Sequence, residues 1–240
     1  FSTMTPNTGL AIYPQDDPGT KHWQTLDLHK RTFSVESSAD FLARKCHNQP
    51  FFSTFELQRK NKNSKIHLPL PGLHNVKNAL AAIACAEALE IPMESIQYGL
   101  SQMTPTNRRL MHHQLKNKIN VIDDSYNAGP GSFLAALQYL STLDGERILV
   151  VAPMLELGEQ SKFYHHKLGQ QASAHGIDKI YAYHSKSQET LTAFSGDSFY
   201  FETKPALISA LKNQLKPQQN ILIKGSNYFA MHEVTTALLE

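Results

Sequence analysis

Between residues 119 and 239, five apolar runs alternate with five amphipathic patterns of helical period. The runs lie at 119–122, 147–151, 179–183, 198–201 and 220–223, and the helical patterns at 131–142, 160–175, 186–194, 204–214 and 228–239. Few folds accept such an alternation. A nearly continuous apolar strand needs cover on both faces, and each crossover helix covers one. The pattern therefore predicts a three-layer, Rossmann-like α/β domain around a mostly parallel sheet.

The first half reads differently. Gly9–Tyr13 and Thr32–Glu36 are short β-prone runs bounded by polar, Pro or Gly residues, with Trp23 between them as a packing residue. Phe51, Phe55 and Leu57, then Ile66, Leu68 and Leu70, alternate with polar residues about a Lys/Asn turn, which predicts a β-hairpin with a solvated tip near Arg59–Lys65. Gly72–Leu89 is Ala-rich, with Ala79, Ala82, Ile83, Ala86 and Leu89 as a close-packing stripe and Asn75 as its N-cap. Pro92 closes that helix and opens another through Leu100. Thr104–Arg108 reads as a linker, so the expected domains are 1–108, α/β with a β-hairpin, and 109–240.

Composition narrows the partners. With 41% hydrophobic and 18% charged residues, and no apolar run of membrane-spanning length, the chain reads as a globular protein without membrane insertion. A net charge of +2 and the lack of a dense basic block argue against a nucleic-acid partner. Cys46 and Cys85 lie far apart without zinc-ligand spacing, so neither a disulfide framework nor a structural metal is expected, and the cytoplasm is the expected compartment. The start, Phe1-Ser-Thr-Met-Thr, reads as part of something longer.

Three constellations carry possible chemistry. Asp123-Asp124, with Ser125, Tyr126 and Asn127, ends an apolar strand. Carboxylates there can accept from ribose hydroxyls or help hold a divalent cation, and Asp124 or Ser125 would serve equally as a cap. His74-Asn75-Val76-Lys77-Asn78 puts two carboxamides three apart on one helical face. They could read the N6 and N7 edge of adenine, or Asn75 could simply cap. Lys224-Gly225-Ser226 follows the last apolar run. It suits an anion beside a helix N-terminus, or turn geometry alone.

Taken in order, Leu70–Ala82, Arg109-Leu110, Asp123–Ser132, Met154–Gly158 and Lys224–Ser226 resemble the Mur ligases, nearest to the MurF type that adds D-alanyl-D-alanine to UDP-N-acetylmuramoyl-tripeptide. The resemblance runs from Phe1 to Glu240. It implies the C-terminal part of the family's central ATPase domain followed by its Rossmann-like C-terminal domain, in a monomeric cytoplasmic enzyme of peptidoglycan synthesis. It implies ATP and Mg²⁺ as cofactors, with UDP-N-acetylmuramoyl-tripeptide and D-alanyl-D-alanine as partners. By matching position, His74, Asn75 and Asn78 would lie near adenine, Arg109 near the nucleotide and Asp124 at the ribose. Asn127, Lys224 and Ser226 would face the dipeptide or the phosphates. The phosphate loop, the carbamylated lysine and the main magnesium ligands of the family match nothing in this sequence. No catalytic or metal-binding residue is therefore assigned, and the fragment is expected to be inactive alone.

The match has departures. Arg108 replaces the Gly usual before the matched Arg, Gly129 replaces the second Asn of Tyr-Asn-Ala-Asn, Ala152-Pro153 replaces Gly-Asp, and Asn227 replaces an Arg. His165 matches a family position, or is a solvated helix residue beside His166. Competing readings are another amino-acid-adding Mur-type ligase, a nicotinamide-dependent oxidoreductase, and a non-catalytic Rossmann-like module. The oxidoreductase lacks G-x-G-x-x-G after any strand, and NADH titration would test it. The module predicts no thermal shift with ATP analogues or D-alanyl-D-alanine.

Overall fold

A computed structural model describes residues 9–49, 51–60 and 62–240, divided into two compact units between Thr104 and Pro105. The first unit is built on a five-stranded sheet. Strand β1 (Leu10–Pro14) leads through a short helix, α1 (Thr20–Gln24), to β2 (His29–Ser34), and β3 (Phe41–Asn48), β4 (Ser53–Arg59) and β5 (Lys62–Leu68) follow. The strands lie in sequence order, parallel from β1 to β3 and antiparallel from β3 to β5.

The helices α2 (Leu73–Ala88) and α3 (Met93–Ser101) pack on this sheet. Period 2 in β4 buries Ser53, Phe55 and Leu57, and β5 answers with Ile66 and Leu68, in the register Phe55↔Ile66. On α2, Val76, Ala79, Leu80, Ile83 and Ala84 form the buried stripe, the small alanines letting the helix sit close to the strands. Each fully buried Leu or Ile here contributes about 1.5–3 kcal/mol by removal from water.

Four readings of this half are corrected. Ala82 and Leu89, expected in the packing stripe of α2, are exposed, because the buried face turns through Val76, Leu80 and Ala84 instead. Strand β3 was not expected, because its apolar alternation is broken by a bulge between Arg44 and His47, with Lys45 left-handed at φ 49°. Arg59 is not a solvated tip residue: it pairs with Glu87 on α2, which also takes Arg31 of β2. Asn75 is not the N-cap. Gly72 is, at φ 93°, and a side chain there would strike the His74 ring at 2.7 Å.

The second unit holds six strands in the order β10-β9-β8-β11-β7-β6. They are β6 (Met111–Leu115), β7 (Ile119–Asp124), β8 (Glu146–Val151), β9 (Lys179–Tyr183), β10 (Asp197–Phe201) and β11 (Gln219–Lys224), joined by α4 (Pro130–Leu140), α5 (Ser161–Ala174), α6 (Gln188–Thr192) and α7 (Lys204–Asn213), with α8 (His232–Leu239) last. All pairs are parallel except the edge strand β6, a short segment with two histidines that its composition did not announce. Alternate residues serve opposite layers. Ile122, Leu149, Ile180 and Leu222 pack on α4, α5 and α6, whereas Val121, Ile148, Tyr181 and Ile221 pack on α7 and α8.

The chain leaves β7 and β8 toward the first layer but leaves β11, which lies between them, toward the second. The connections therefore diverge on both sides of β11. Such a divergence marks the carboxyl ends of the three strands as the place where an open α/β sheet has its ligand-binding crevice.

Two packing details are testable. A Cβ on Gly169 of α5 would lie 2.1 Å from the Thr190 carbonyl oxygen on α6, so Gly169→Ala should cost about 1–3 kcal/mol in urea unfolding. Tyr139 Oη on α4 lies 2.6 Å from His112 Nε2 on β6. Burial there, helped by His113, pulls the His112 pKa from 6.5 to about 4 and pushes the Tyr139 phenol up. Between those values the unfolded chain takes a proton that the folded one refuses. This contribution is therefore complete above pH 6.5 and lost as pH falls toward 4. His112→Gln should flatten that part of the stability profile, read as melting temperature against pH.

Candidate functional site

The crevice is organised by a pair 100 residues apart. Lys224 ends β11, Asp124 ends β7, and the parallel register sets them side by side. Lys224 Nζ lies 2.7 Å from Asp124 Oδ2, with the two side chains only 3% and 14% exposed. It also donates to the Asn127 carbonyl at 3.0 Å, approaches that of Asp124 at 3.5 Å, and stands 5.4 Å above the Phe133 ring. An ammonium has three protons, and each here has a protein acceptor. Lys224 thus reels in the turn after β7, and it can meet a ligand only by giving up one of these contacts. Asp124 also accepts from the Leu110 N–H through Oδ1 at 3.2 Å.

The turn does not cap a helix with its acidic pair. Asp123 Oδ1 accepts from the Ser125 N–H at 3.0 Å, and α4 begins only at Pro130 after Gly129. Nothing lies within 4 Å of a Cβ built on Gly129, so the side chain usual in the family would have room. Asn127 is exposed, with its Oδ1 accepting from the Ala128 N–H.

Ser226 lies two residues beyond Lys224 and is not at the N-terminus of α8. A 3-10 turn, Asn227–Phe229, and a left-handed Ala230 intervene. Its N–H donates to the Pro153 carbonyl at 3.1 Å, and its Oγ accepts from the Leu155 N–H at 2.9 Å. Gly225 is required for packing: a Cβ would meet that of Ala152 at 2.5 Å. His165 is fully buried, not solvated. Its Nε2 accepts from the Met154 N–H at 3.1 Å and its Nδ1 faces the Ser161 carbonyl at 2.7 Å, which sets the tautomer with the proton on Nδ1. Desolvation lowers its pKa, so the ring stays neutral.

The two arginines differ. Arg108 donates to Asn227 Oδ1 at 2.9 Å and approaches His232 Nδ1 at 3.3 Å, whereas Arg109 lies 4.3 Å over the Tyr126 ring, exposed. In the first unit, His74, Asn75 and Asn78 share the first turns of α2. Asn75 Nδ2 donates to the Pro71 carbonyl at 2.7 Å, and Asn78 is exposed. The sequence singled out Asp124 and Lys224 without pairing them, and it missed Leu110 and Phe133 as their supports and Tyr126 as the platform for Arg109. One signal was available: a lysine at the end of a buried central strand must find an acceptor. Among the described residues there is no group of three or more His, Cys, Asp or Glu that could hold a metal ion.

Two family profiles match, the Mur ligase middle domain over residues 1–86 and the Mur ligase glutamate ligase domain over residues 108–227. The chain belongs to the Mur ligase family. UDP-N-acetylmuramoyl-tripeptide–D-alanyl-D-alanine ligase of Escherichia coli (strain K12) is 38% identical over 240 residues, 98% of this chain and 53% of that protein. A crystal structure of MurF from Acinetobacter baumannii superposes with a TM-score of 0.88 at 31% identity, covering 96% of this chain and 51% of that one. MurF from Thermotoga maritima, solved in complex with ADP, has the same fold, with a TM-score of 0.83 at 19% identity and coverage of 95% and 52%. This Mur ligase chain spans about half the length of the curated relatives it matches.

Breaking a buried pair leaves a charge without compensation, so Lys224→Met and Asp124→Asn should each cost about 3–5 kcal/mol in denaturant unfolding. The double variant should be less destabilised than the sum of the two. Additive losses would show that the pair contributes little.

Proposed function

We propose that this chain supplies two domains of an ATP-dependent cytoplasmic ligase that adds D-alanyl-D-alanine to UDP-N-acetylmuramoyl-tripeptide in peptidoglycan precursor synthesis. The observation that carries the reading is 38% identity with the Escherichia coli ligase of that name across 98% of this chain. The local chemistry supports it. Asp124 is assigned to the ribose: its carboxylate, held at the carboxyl end of β7 by Lys224 and the Leu110 N–H and still partly exposed, stands where open α/β sheets place such a group.

Arg109 is the better nucleotide contact of the two arginines. Its guanidinium stacks on Tyr126 and makes no side-chain hydrogen bond or ion pair among the described residues, while Arg108 is a strut to Asn227 and His232. His74, Asn75 and Asn78 are assigned to adenine. Asn75 Nδ2 is held by Pro71, which orients the carboxamide, and Asn78 presents its amide outward. Asn127 and Ser226 are assigned to the dipeptide or the phosphates, and Lys224 to the same surface by shaping the Asn127 turn.

ATP supplies the driving force by activating the tripeptide carboxylate as an acyl phosphate, which the dipeptide amine attacks with loss of phosphate. The fixed donors and charges described above would orient the reactants before the reaction begins. Magnesium is assigned no ligand here, and neither is a phosphate loop, so the 240-residue chain alone should not turn over ATP.

A second reading has one observation in its favour. UDP-N-acetylmuramate–L-alanine ligase of Syntrophobacter fumaroxidans is 30% identical over 247 residues, 94% of this chain and 51% of that protein. Phosphate release by the full-length ligase, compared with D-alanyl-D-alanine and with L-alanine, separates the two. A preference for L-alanine would replace the first reading. Turnover by the 240-residue chain alone would refute its dependence on parts beyond it. In the full-length ligase Arg109→Ala should raise KM for ATP about tenfold or more, the loss of one charge-assisted contact, while Arg108→Ala should mainly lower the melting temperature.

A further inference from the structure

We propose that His165 is a positioning residue that holds the loop leaving β8 so that the Leu155 N–H stays on the Ser226 hydroxyl and leaves its proton for the incoming substrate or its phosphate. This rests on the assignment of Ser226 to that side of the reaction.

The loop at Pro153–Leu155 is gripped from two directions. From α5, the buried imidazole of His165 accepts the Met154 N–H, while its other nitrogen donates to the Ser161 carbonyl at the start of the same helix. From the exit of β11, Ser226 gives its N–H to the Pro153 carbonyl and takes the Leu155 N–H on its Oγ. Three successive loop residues thus have backbone groups bound by two side-chain or main-chain anchors. The Ser226 carbonyl is used as well, accepting from the Phe229 N–H at 2.9 Å.

Of the polar groups on Ser226, only the hydroxyl proton has no acceptor among the described residues. A serine hydroxyl that already accepts one hydrogen bond is directed by it, because its own proton must point elsewhere. The Leu155 N–H therefore keeps the Ser226 O–H from turning back toward the loop. The direction of the Leu155 N–H depends in turn on where His165 holds the adjoining peptide. The Cβ clash that Gly225 would make with Ala152 shows how closely these two strand exits approach, so a slack loop would shift the hydroxyl directly.

A buried histidine with both nitrogens engaged could equally be a packing residue, and the distinction is measurable. Gln at 165 keeps an acceptor near the Nε2 position; Leu keeps only volume. In the 240-residue chain, His165→Leu should speed amide hydrogen exchange at Met154 and Leu155 by tenfold or more relative to the rest of the β8 exit, and His165→Gln should restore most of the protection. In the full-length ligase, His165→Leu should lower kcat or raise KM for the dipeptide with KM for ATP unchanged. His165→Gln should recover activity.

Double-variant kinetics test the route through Ser226. His165→Leu added to Ser226→Ala should cost no further activity. If the two losses multiply, His165 acts as a packing residue and the proposal falls while the ligase reading stands. If Ser226→Ala is as active as the parent, the substrate role of Ser226 is wrong and the proposal goes with it. If His165→Leu leaves exchange at Met154 and Leu155 unchanged, the grip itself is refuted, whatever the activity. Thermal melts of each variant exclude those whose loss is one of folding, and the Gln variant then carries the comparison.

Discussion

An ammonium that is 3% exposed is costly to bury unless its protons are all accepted, and at the end of β11 that requirement is met by the carboxylate and carbonyl of Asp124 and the carbonyl of Asn127. The rest of the second unit is arranged to satisfy it. Parallel register between β7 and β11 brings the two charges level. The turn from Ser125 to Gly129 bends back so that the Asn127 carbonyl reaches the ammonium, and α4 starts only after that bend is complete. Because the charges are 100 residues apart, the interaction exists only when the whole sheet has its native order. It is a polar device whose geometry reports on the apolar core beneath it.

Much of this architecture was legible in residues 119–239, and for a physical reason. Each run such as Ile221–Ile223 is buried on both faces, so its hydrophobicity is continuous and survives any detail of packing. The elements that escaped are those whose side chains are not selected by a two-sided core. β6, Met111–Leu115, is an edge strand without one fully buried residue, and β3 changes register at Lys45. The start of α2 was also misplaced at Asn75. A polar residue that could cap a helix there bonds instead to the Pro71 carbonyl, and only the folded surroundings decide between those uses.

The site was legible as a set of residue types and much less as a geometry. Asp124, Lys224 and Ser226 stood out because charged or small polar residues directly follow apolar strands. That Lys224 spends its protons inside the protein, or that Ser226 takes an N–H from Leu155, depends on which strands are neighbours, and strand order is not written in periodicity. His165 illustrates the same limit. On a helix whose polar residues surround it, nothing local distinguishes a solvated imidazole from one buried against the exit of β8.

Strand β11 is the last of the six to be synthesised and lies at the middle of the sheet, hydrogen-bonded to β7 on one side and β8 on the other. Until it arrives, those two strands have no ladder to join them, and each offers an unpaired edge beside an apolar face. A nascent chain that has emerged as far as α7 would therefore hold two half-sheets with open edges, the kind of surface that pairs with another chain. Assembly of this unit must end with insertion rather than addition. The strand whose arrival closes the aggregation-prone gap is also the one that brings Lys224 to Asp124, so the buried pair and protection from self-association are reached in the same step.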